Sequence, residues 1–354
     1  MTYPIHIVAI GARTPVGLTA ESTAAAVRSG LAWIEAHPFI VDVRGEPVLM
    51  ARDGLLDAGL FGPERMLTLA RSALAEVVAK LSAKTTLRGE VPLLVGLPEP
   101  RPGFTEADAR SLVSELARTA EAPVKWLARP LLQGHASALE ALRQACLLMQ
   151  EKGQDLCIVG GVDSYLHPDT LLWLDGRGKL AARGVRCGFP PGEGAGFVAV
   201  VADWVRRNLG LPSLGVVRAV HTARETKLDG TDALNLGEGL TEAIRMATSE
   251  GCERDELVDA VYCDLNGERY RSEEWGFAAL RCQDVFRDPS PRPNGVAAWG
   301  DAGAASGALL MVLAVQAWQR GYARGPRALV CAGSDGGLRA AAVLGQQESK
   351  TGRK

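Results

Sequence analysis

The chain has 354 residues, of which 47% are hydrophobic and 23% charged, enough for one large or two ordinary domains with a sizeable core. A formal net charge of -2, with basic residues scattered along the chain, excludes an electrostatic case for binding nucleic acid or an anionic membrane. The longest apolar stretch, residues 308–318, is too short to cross a bilayer, and no secretory signal opens the chain, so the sequence predicts a cytoplasmic protein.

Short apolar segments rich in Val and Ile alternate along the chain with longer segments rich in Ala and Leu. The predicted strands are 5–11, 91–97, 155–161, 196–202, 214–220, 259–265 and 328–333. The predicted helices are 63–82, 105–120, 136–152, 234–250 and 303–320. This alternation is typical of an α/β fold with a mostly parallel sheet.

Two of the predicted helices begin in the same unusual way. "GHASALEALRQACLLMQ", from residue 134, and "GDAGAASGALLMVLAVQAW", from residue 300, each open with Gly, a polar residue and several small residues before becoming strongly apolar. Small side chains allow close backbone packing, so we expect two buried helices whose N-termini meet. The helices occupy comparable positions in two halves of the chain, which favours an internal duplication with halves 1–205 and 206–354.

Cysteine and histidine spacing gives no support for metal chemistry. The seven cysteines contain no CxxC pair and the five histidines no HExxH, so neither a zinc site nor a disulfide framework is predicted, and no cofactor is implied. "GEGAG" at 192–196 runs into a predicted strand instead of opening a helix, which argues against a phosphate-binding loop.

The order of these segments carries a family resemblance over nearly the whole chain. The sequence "GHASALEAL", the strand "DLCIVGGVDSY", the segment ending "GEGAGFVAVV", then "DLNGE", "GDAGAASGALL" and "ALVCAGSDGGLRAAAVL" follow one another as in the thiolase-like superfamily. The chain most resembles the β-ketoacyl synthases. That resemblance implies a duplicated, five-layered αβαβα fold with buried central helices, and a tight homodimer in which the strand at 124–132 pairs with its copy.

The same resemblance locates the family's catalytic positions in this chain. The nucleophilic cysteine corresponds to His135, the two histidines to Asn266 and Asp301, and the lysine before the second histidine to Val296. Neither Cys146, deeper in the helix, nor Cys157, within a strand, is placed to take over. The resemblance further implies a pocket lined by Gly134, Ser137, Phe189, Gly194, Gly300, Ser334 and Asp335, with Asp335 in the place of an aromatic gate.

These substitutions predict that condensation is lost. An acyl-imidazole at His135 would be too short-lived in water to wait for a second substrate. The decarboxylation that drives condensation develops an enolate, and a carboxylate at Asp301 would repel that negative charge.

Three functions remain open from the sequence. The first is a non-catalytic acyl-binding or partner-binding subunit, in which His135 and Asp301 form a buried pair that fills the former site and the acyl tunnel is closed. The second is a thioester hydrolase or acyltransferase in which an Asp301–His135 pair activates water. The third is an interaction component of a polyketide or secretion system, with an acyl carrier protein or another protein as partner.

A partner surface is expected on three long loops, 33–62, 97–105 and 267–295. Within the last of these, the charged run "DLNGERYRSEEWGFAAL" at 264–280 reads as a solvated loop that leads into a helix and carries ordinary surface ion pairs. A functional reading instead places Arg269, Arg271, Glu273 and Glu274 in a partner contact.

Overall fold

The computed structural model describes residues 3–120, 122–182, 187–231 and 233–347. The terminal segment "ESKTGRK", for which its polar sequence predicts a solvated end, and residues 183–186, which precede "GEGAG", lie outside this part of the chain. Among the helices it describes, none combines the length and the apolar character needed to cross a membrane.

Strands and helices form at the predicted places, with additional short elements between them. The strands are β1 (Ile5–Arg13), β2 (Glu35–Val41), β3 (Pro47–Met50), β4 (Glu90–Leu97), β5 (Lys125–Leu132), β6 (Leu156–Ser164), β7 (Glu193–Ala202), β8 (Gly215–Arg224), β9 (Ala260–Cys263), β10 (Arg327–Gly333) and β11 (Leu338–Gly345). The helices are α1 (Ala20–Arg28), α2 (Gly62–Ser82), α3 (Glu106–Thr119), α4 (Ser137–Lys152), α5 (Pro168–Gly176), α6 (Asp203–Asn208), α7 (Glu238–Gly251), α8 (Arg269–Arg281), α9 (Val296–Trp299) and α10 (Ser306–Gln319).

Nine of these strands form one sheet in the order β5-β4-β6-β7-β1-β8-β11-β10-β9, and β2 and β3 form a separate hairpin. The prediction of a mostly parallel sheet is wrong. The pairs β4/β5, β4/β6 and β9/β10 are parallel, whereas every neighbouring pair from β6 through β10 is antiparallel. Strands that alternate with helices along the chain become parallel neighbours only when each helix returns the chain to an adjacent strand. The tight turn between β10 and β11 instead makes these two strands an antiparallel hairpin.

The elements stack in five layers. Helices α2 and α3 cover the outer face of β5-β4-β6-β7-β1, and α7 and α8 cover the outer face of β8-β11-β10-β9. Helices α4 and α10 lie between the two halves of the sheet, in the largest apolar core. The predicted αβαβα architecture with buried central helices is therefore confirmed.

Small residues make this central layer possible. A Cβ atom added to Gly161 of β6 would lie 2.2 Å from the carbonyl oxygen of Ala304, and one added to Gly307 of α10 would lie 3.1 Å from Cγ of Leu139 in α4. Because real Cβ contacts are longer than the first of these, only glycine fits at residue 161 without backbone movement. The small-residue openings of the two helices thus allow each to pack directly on its neighbours.

A buried ion pair fixes the start of β7, which begins at Glu193 within "GEGAG". Arg65 of α2 donates to Glu193 through Nε at 2.7 Å and Nη2 at 2.8 Å, and the Ser164 hydroxyl and the Asp53 amide donate to the same carboxylate. Both charged side chains are almost fully buried. The motif therefore anchors an outer helix to the sheet instead of binding phosphate.

We expect the substitution Glu193→Gln to lower the free energy of unfolding by about 3–5 kcal/mol, because it leaves the Arg65 charge buried without its partner. Urea denaturation followed by circular dichroism measures this change. The matched control is Glu106→Gln, which removes an exposed ion pair with Arg110 and should cost less than about 1 kcal/mol. Equal effects of the two substitutions would contradict the assigned role of Glu193.

Candidate functional site

The beginnings of the two central helices bring His135 and Asp301 into contact. His135 lies in a 3-10 turn, Gly134–Ala136, immediately before α4, and Asp301 lies just before the equivalent turn, Gly303–Ala305, that leads into α10. Nε2 of His135 is 3.0 and 3.1 Å from the two carboxylate oxygens of Asp301. His135 is 6% exposed and Asp301 2%, so the pair is buried.

Asn266 binds the same Asp301 carboxylate that contacts His135. Its Nδ2 donates to Asp301 at 2.6 Å and to Glu268 at 2.9 Å, and the Gly303 amide donates to Asp301 at 2.7 Å. The three positions singled out from the sequence, residues 135, 266 and 301, therefore form one hydrogen-bonded cluster. Val296, the fourth position, borders a small cavity beside Asp301.

Arg271 of α8 joins the cluster from the other side of the imidazole. It is 4% exposed, and it donates to Glu268 at 3.0 Å, to Asp264 at 2.9 Å and to Asp335 at 3.1 Å. Its Nη2 lies 3.4 Å from Nδ1 of His135. In the Nε2–H tautomer His135 can donate to Asp301 and accept from Arg271, so both ring nitrogens have partners.

The reading of this charged segment as a solvated loop with surface ion pairs is wrong for Arg271 and Glu274. Both are buried on α8, and Glu274 pairs with the buried Arg339 at 2.8 Å, whereas Arg269 and Glu273 do form an exposed pair. The available signal is helical periodicity. Trp275 and Ala278 lie four and seven residues after Arg271 and therefore share its face.

Opposing effects set the pKa values of the central pair. Burial and the Arg271 guanidinium lower the pKa of His135, but the Asp301 carboxylate and Asp264 raise it above its ordinary value. Burial raises the pKa of Asp301, yet His135, Arg271 and Asn266 hold it well below its ordinary value. Asp301 is therefore an ionised carboxylate, and it can stay buried only because these groups stabilise its charge.

Little space remains beside the pair. The cavity bordered by Asp301, Val296 and Trp299 has a volume of about 10 Å³, which is at the lower limit for a single water molecule. The turn at 334–337 lies over His135, held by the Tyr270 hydroxyl on Asp335 at 2.7 Å and by Glu99, which accepts from the Gly336 amide at 3.0 Å. A cavity of about 10 Å³ beside Asp301 holds no acyl chain.

The residues that the resemblance places around a pocket make defined contacts in the structure. Ser334 accepts a hydrogen bond from the Ala136 amide at 3.0 Å, and Ser137 donates to the Gly134 carbonyl at 2.6 Å. Gly134 has a φ of +64°, which suits glycine in this turn. Of the remaining expected positions, Phe189 packs against Tyr165 with an angle of 56° between the rings, a Cβ at Gly194 would lie 3.2 Å from Leu309, Gly300 has a φ of +70°, and Asp335 is an exposed residue bonded to Arg271.

A second buried ion pair, which was not predicted from the sequence, lies at the same helix ends. Arg101 donates to Asp163 at 2.5 Å, and Asp163 accepts from the Ala304 amide at 2.9 Å at the start of α10. Arg101 also lies over the Tyr165 ring, 4.4 Å from its centroid. Asp163 closes the predicted strand in "GGVDSY", and a carboxylate placed there before a buried turn is the signal that could have revealed the pair.

Cys146 and Cys157 do not supply a thiolate to this cluster. Burial raises the pKa of Cys146 to about 12 and that of Cys157 to about 12, so both remain thiols. Within the described ranges, no group of three or more His, Cys, Asp or Glu residues could hold a metal ion.

Comparison with known proteins agrees with this architecture. The model of the β-ketoacyl synthase N-terminal domain matches residues 134–201, the segment that runs from the His135 turn through β7. The chain is β-ketoacyl synthase-like and has the thiolase-like fold. Solved ketosynthase structures align with almost all of this ketosynthase-like chain.

One such structure, the ishigamide ketosynthase/chain length factor, is 22% identical, with a TM-score of 0.69 over 98% of this chain and 100% of that one. A type II polyketide synthase acyl-carrier protein in complex with its ketosynthase, AntDE:AntF, gives a TM-score of 0.79 at 13% identity, over 98% of this chain and 100% of the other. The ketosynthase from module 6 of the bacillaene synthase of Bacillus subtilis gives 0.75 at 16% identity, over 98% of this chain and 72% of the other.

A sequence relative is the partially reducing polyketide synthase tpeA of Talaromyces stipitatus. It is 29% identical over 140 residues, a match that covers 37% of this chain and 5% of that synthase. The ketosynthase-like chain thus corresponds to a small part of that much longer protein.

We predict that Asp301→Asn destabilises the protein in a pH-dependent way. The low pKa of Asp301 stabilises the fold above the ordinary carboxyl pKa of about 4, and this contribution is lost as the pH falls through the folded-state value. The raised pKa of His135 stabilises below about 6.5, and this contribution is lost as the pH rises through its folded-state value. The stability difference between wild type and variant should therefore be largest between about pH 4 and 6.5, at about 3–5 kcal/mol.

Denaturant unfolding at a series of pH values measures this difference. Asp284→Asn is the matched control, because Asp284 forms an exposed ion pair with Arg245 at 3.4 Å and its loss should change stability little at any pH. A difference for Asp301→Asn that stays constant from pH 3 to pH 8 would contradict the assigned ionisation of the pair.

Proposed function

We propose that this ketosynthase-like protein is a non-condensing subunit that works by binding a partner protein, as an accessory to a polyketide, fatty-acid or secretion system. The observation that carries the proposal is the filled site: His135 is held between Asp301 and Arg271, with about 10 Å³ of free space beside Asp301. By resemblance, residues 135, 266 and 301 stand where β-ketoacyl synthases have Cys, His and His.

The charges in the cluster support the loss of condensation. A condensing site must stabilise the negative charge of an enolate with hydrogen-bond donors or positive groups. Here Asn266 and the Gly303 amide already donate to Asp301, and Arg271 already donates to three carboxylates. The available donors are therefore committed to fixed anions of the protein.

The alternative, a thioester hydrolase or acyltransferase based on His135 and Asp301, has one observation in its favour. The two side chains are within hydrogen-bond distance, as an Asp–His pair that activates water requires. The second ring nitrogen, which would accept the proton from water, instead faces Nη2 of Arg271. Because that nitrogen is within hydrogen-bond distance of a buried guanidinium, it is already occupied, and the binding function is better supported.

We expect no condensation when the purified protein is incubated with an acetyl and a malonyl thioester of N-acetylcysteamine. Mass spectrometry should detect no condensation product, and carbon dioxide release should equal that of a reaction without protein. His135→Cys should not restore condensation, because Asn266 and the Asp301 carboxylate remain. A condensation product, or thioester hydrolysis that disappears in His135→Ala, would overturn the proposed function.

We further propose a homodimer that pairs β5 with its copy. β5 is the terminal strand of the nine-stranded sheet, with β4 on one side only, and Leu127 is exposed on it. The indole nitrogen of Trp126, on the same strand, is buried and has no hydrogen-bond partner among the residues that the structure describes. An unpaired edge with these features favours strand pairing between subunits.

Light scattering coupled to size-exclusion chromatography should give twice the mass of one chain. Leu127→Lys should raise the dissociation constant of the dimer by at least about 10-fold, because it places a charge at the centre of the paired edge. Leu280→Lys, at an exposed position of α8, is the matched control and should leave the dimer intact. A monomeric wild type would contradict this assembly.

A further inference from the structure

A large cavity lies elsewhere in the structure, and none of the residues that line it belongs to the cluster around His135. Its volume is about 1100 Å³, and it opens where the starts of β1, β8 and β10 meet α6 and the end of α7. Cavities of roughly 300–1,000 Å³ are typical of small-molecule sites. This cavity therefore has the space that the cluster around His135 lacks.

Three side chains that line this cavity form a chain of contacts. Nδ1 of His6, in β1, lies 2.8 Å from the hydroxyl of Ser213, in the segment before β8. Nε2 of the same ring lies 3.0 Å from the carboxylate of Asp203, the first residue of α6. His6 is 3% exposed, whereas Ser213 is half-buried and can be reached from the cavity.

We propose that Ser213, His6 and Asp203 form a second, nucleophilic site that cleaves small carboxylic esters or thioesters. A hydroxyl, an imidazole and a carboxylate in contact are the groups that serine hydrolases use, and such sites are recognised by geometry instead of sequence order. The inference is independent of the proposed binding function, because it uses none of the residues around Asp301.

The contacts define the role of each group. Ser213 Oγ would attack the carbonyl carbon while its proton passes to Nδ1 of His6. The bond between the carbonyl carbon and the leaving oxygen or sulfur then breaks, and the same proton passes from Nδ1 to the leaving group. Water hydrolyses the resulting acyl-Ser213 by the same two proton transfers, which releases the carboxylic acid and restores the serine.

The surroundings of His6 suit a neutral base. Burial and the Arg206 guanidinium lower its pKa, against the opposing effect of Asp203. A neutral ring with its proton on Nε2, towards Asp203, leaves Nδ1 free to accept the serine proton. In this structure the Nε2–H direction does not point directly at the carboxylate, so Nε2 makes no linear hydrogen bond, and substrate binding would have to align the two.

Arginine side chains line the same cavity as the hydroxyl. Arg206 donates to Asp203 and to the Leu211 carbonyl, and Arg207 shares the Asp203 carboxylate. Two guanidinium groups on one carboxylate hold Asp203 in place beside His6, where it can orient the imidazole.

The site can be tested with a fluorophosphonate probe and with p-nitrophenyl acetate. We expect the probe to label the wild-type chain at Ser213, as mapped by peptide mass spectrometry, and expect labelling and ester hydrolysis to be lost in Ser213→Ala. His6→Gln should slow both by at least about 100-fold. Ser114→Ala, at an exposed position of α3, is the matched control and should react as the wild type does.

A second variant tests the site without depending on the folding of Ser213→Ala. Ser213→Cys should be alkylated by iodoacetamide faster than the exposed Cys187, and adding His6→Gln should remove that advantage while thermal unfolding remains cooperative. Absence of labelling in the folded wild type, or labelling and hydrolysis that persist in Ser213→Ala, would overturn the proposed site.

Discussion

The close approach of α4 and α10 is the constraint on which the rest of the structure depends. Both helices lie between the two halves of one sheet, where Gly161 and Gly307 leave no space for a larger side chain without movement of their neighbours. This packing fixes where the helices begin. It thereby places the turns at 134–136 and 303–305 side by side and forces His135 and Asp301 into contact.

Once two such side chains are buried together, their surroundings must satisfy them. A buried carboxylate is tolerated only with donors, and Asp301 receives them from His135, Asn266 and the Gly303 amide. Arg271 extends the cluster to Asp264, Glu268 and Asp335, which ties α8 and the turn after β10 to the same point. The hydrogen-bond donors of this network stabilise the centre of the molecule. A condensing enzyme would instead direct such donors at its substrate.

The two polar centres of the molecule differ in what surrounds them. The cluster at residues 135, 266 and 301 is closed by the turn at 334–337 and by Glu99. His6, Ser213 and Asp203 instead border a cavity of about 1100 Å³ at another part of the chain. Chemistry that needs a small-molecule substrate is thus favoured at the second centre, and a structural role at the first.

Much of this architecture could be predicted from the sequence, because hydrophobic periodicity and small-residue patterns are local. The strands and the central helices follow from such patterns, whereas the order of segments and the positions of His135, Asn266 and Asp301 were predicted from the resemblance to the β-ketoacyl synthases. Strand direction was predicted wrongly, since it depends on which strands become neighbours. The charges of Arg271 and Glu274 predicted a surface position, whereas their helical spacing relative to Trp275 indicated the buried face on which they lie.

The sequence by itself determined the fold class and the residue types at the family's catalytic positions, because both are read from residues in order along the chain. Only the tertiary structure decided that His135 lies between a carboxylate and a guanidinium in a closed site, and that His6 meets Ser213 and Asp203. These contacts join residues up to 207 positions apart. Packing between distant elements, which no local pattern encodes, sets their distances and their burial.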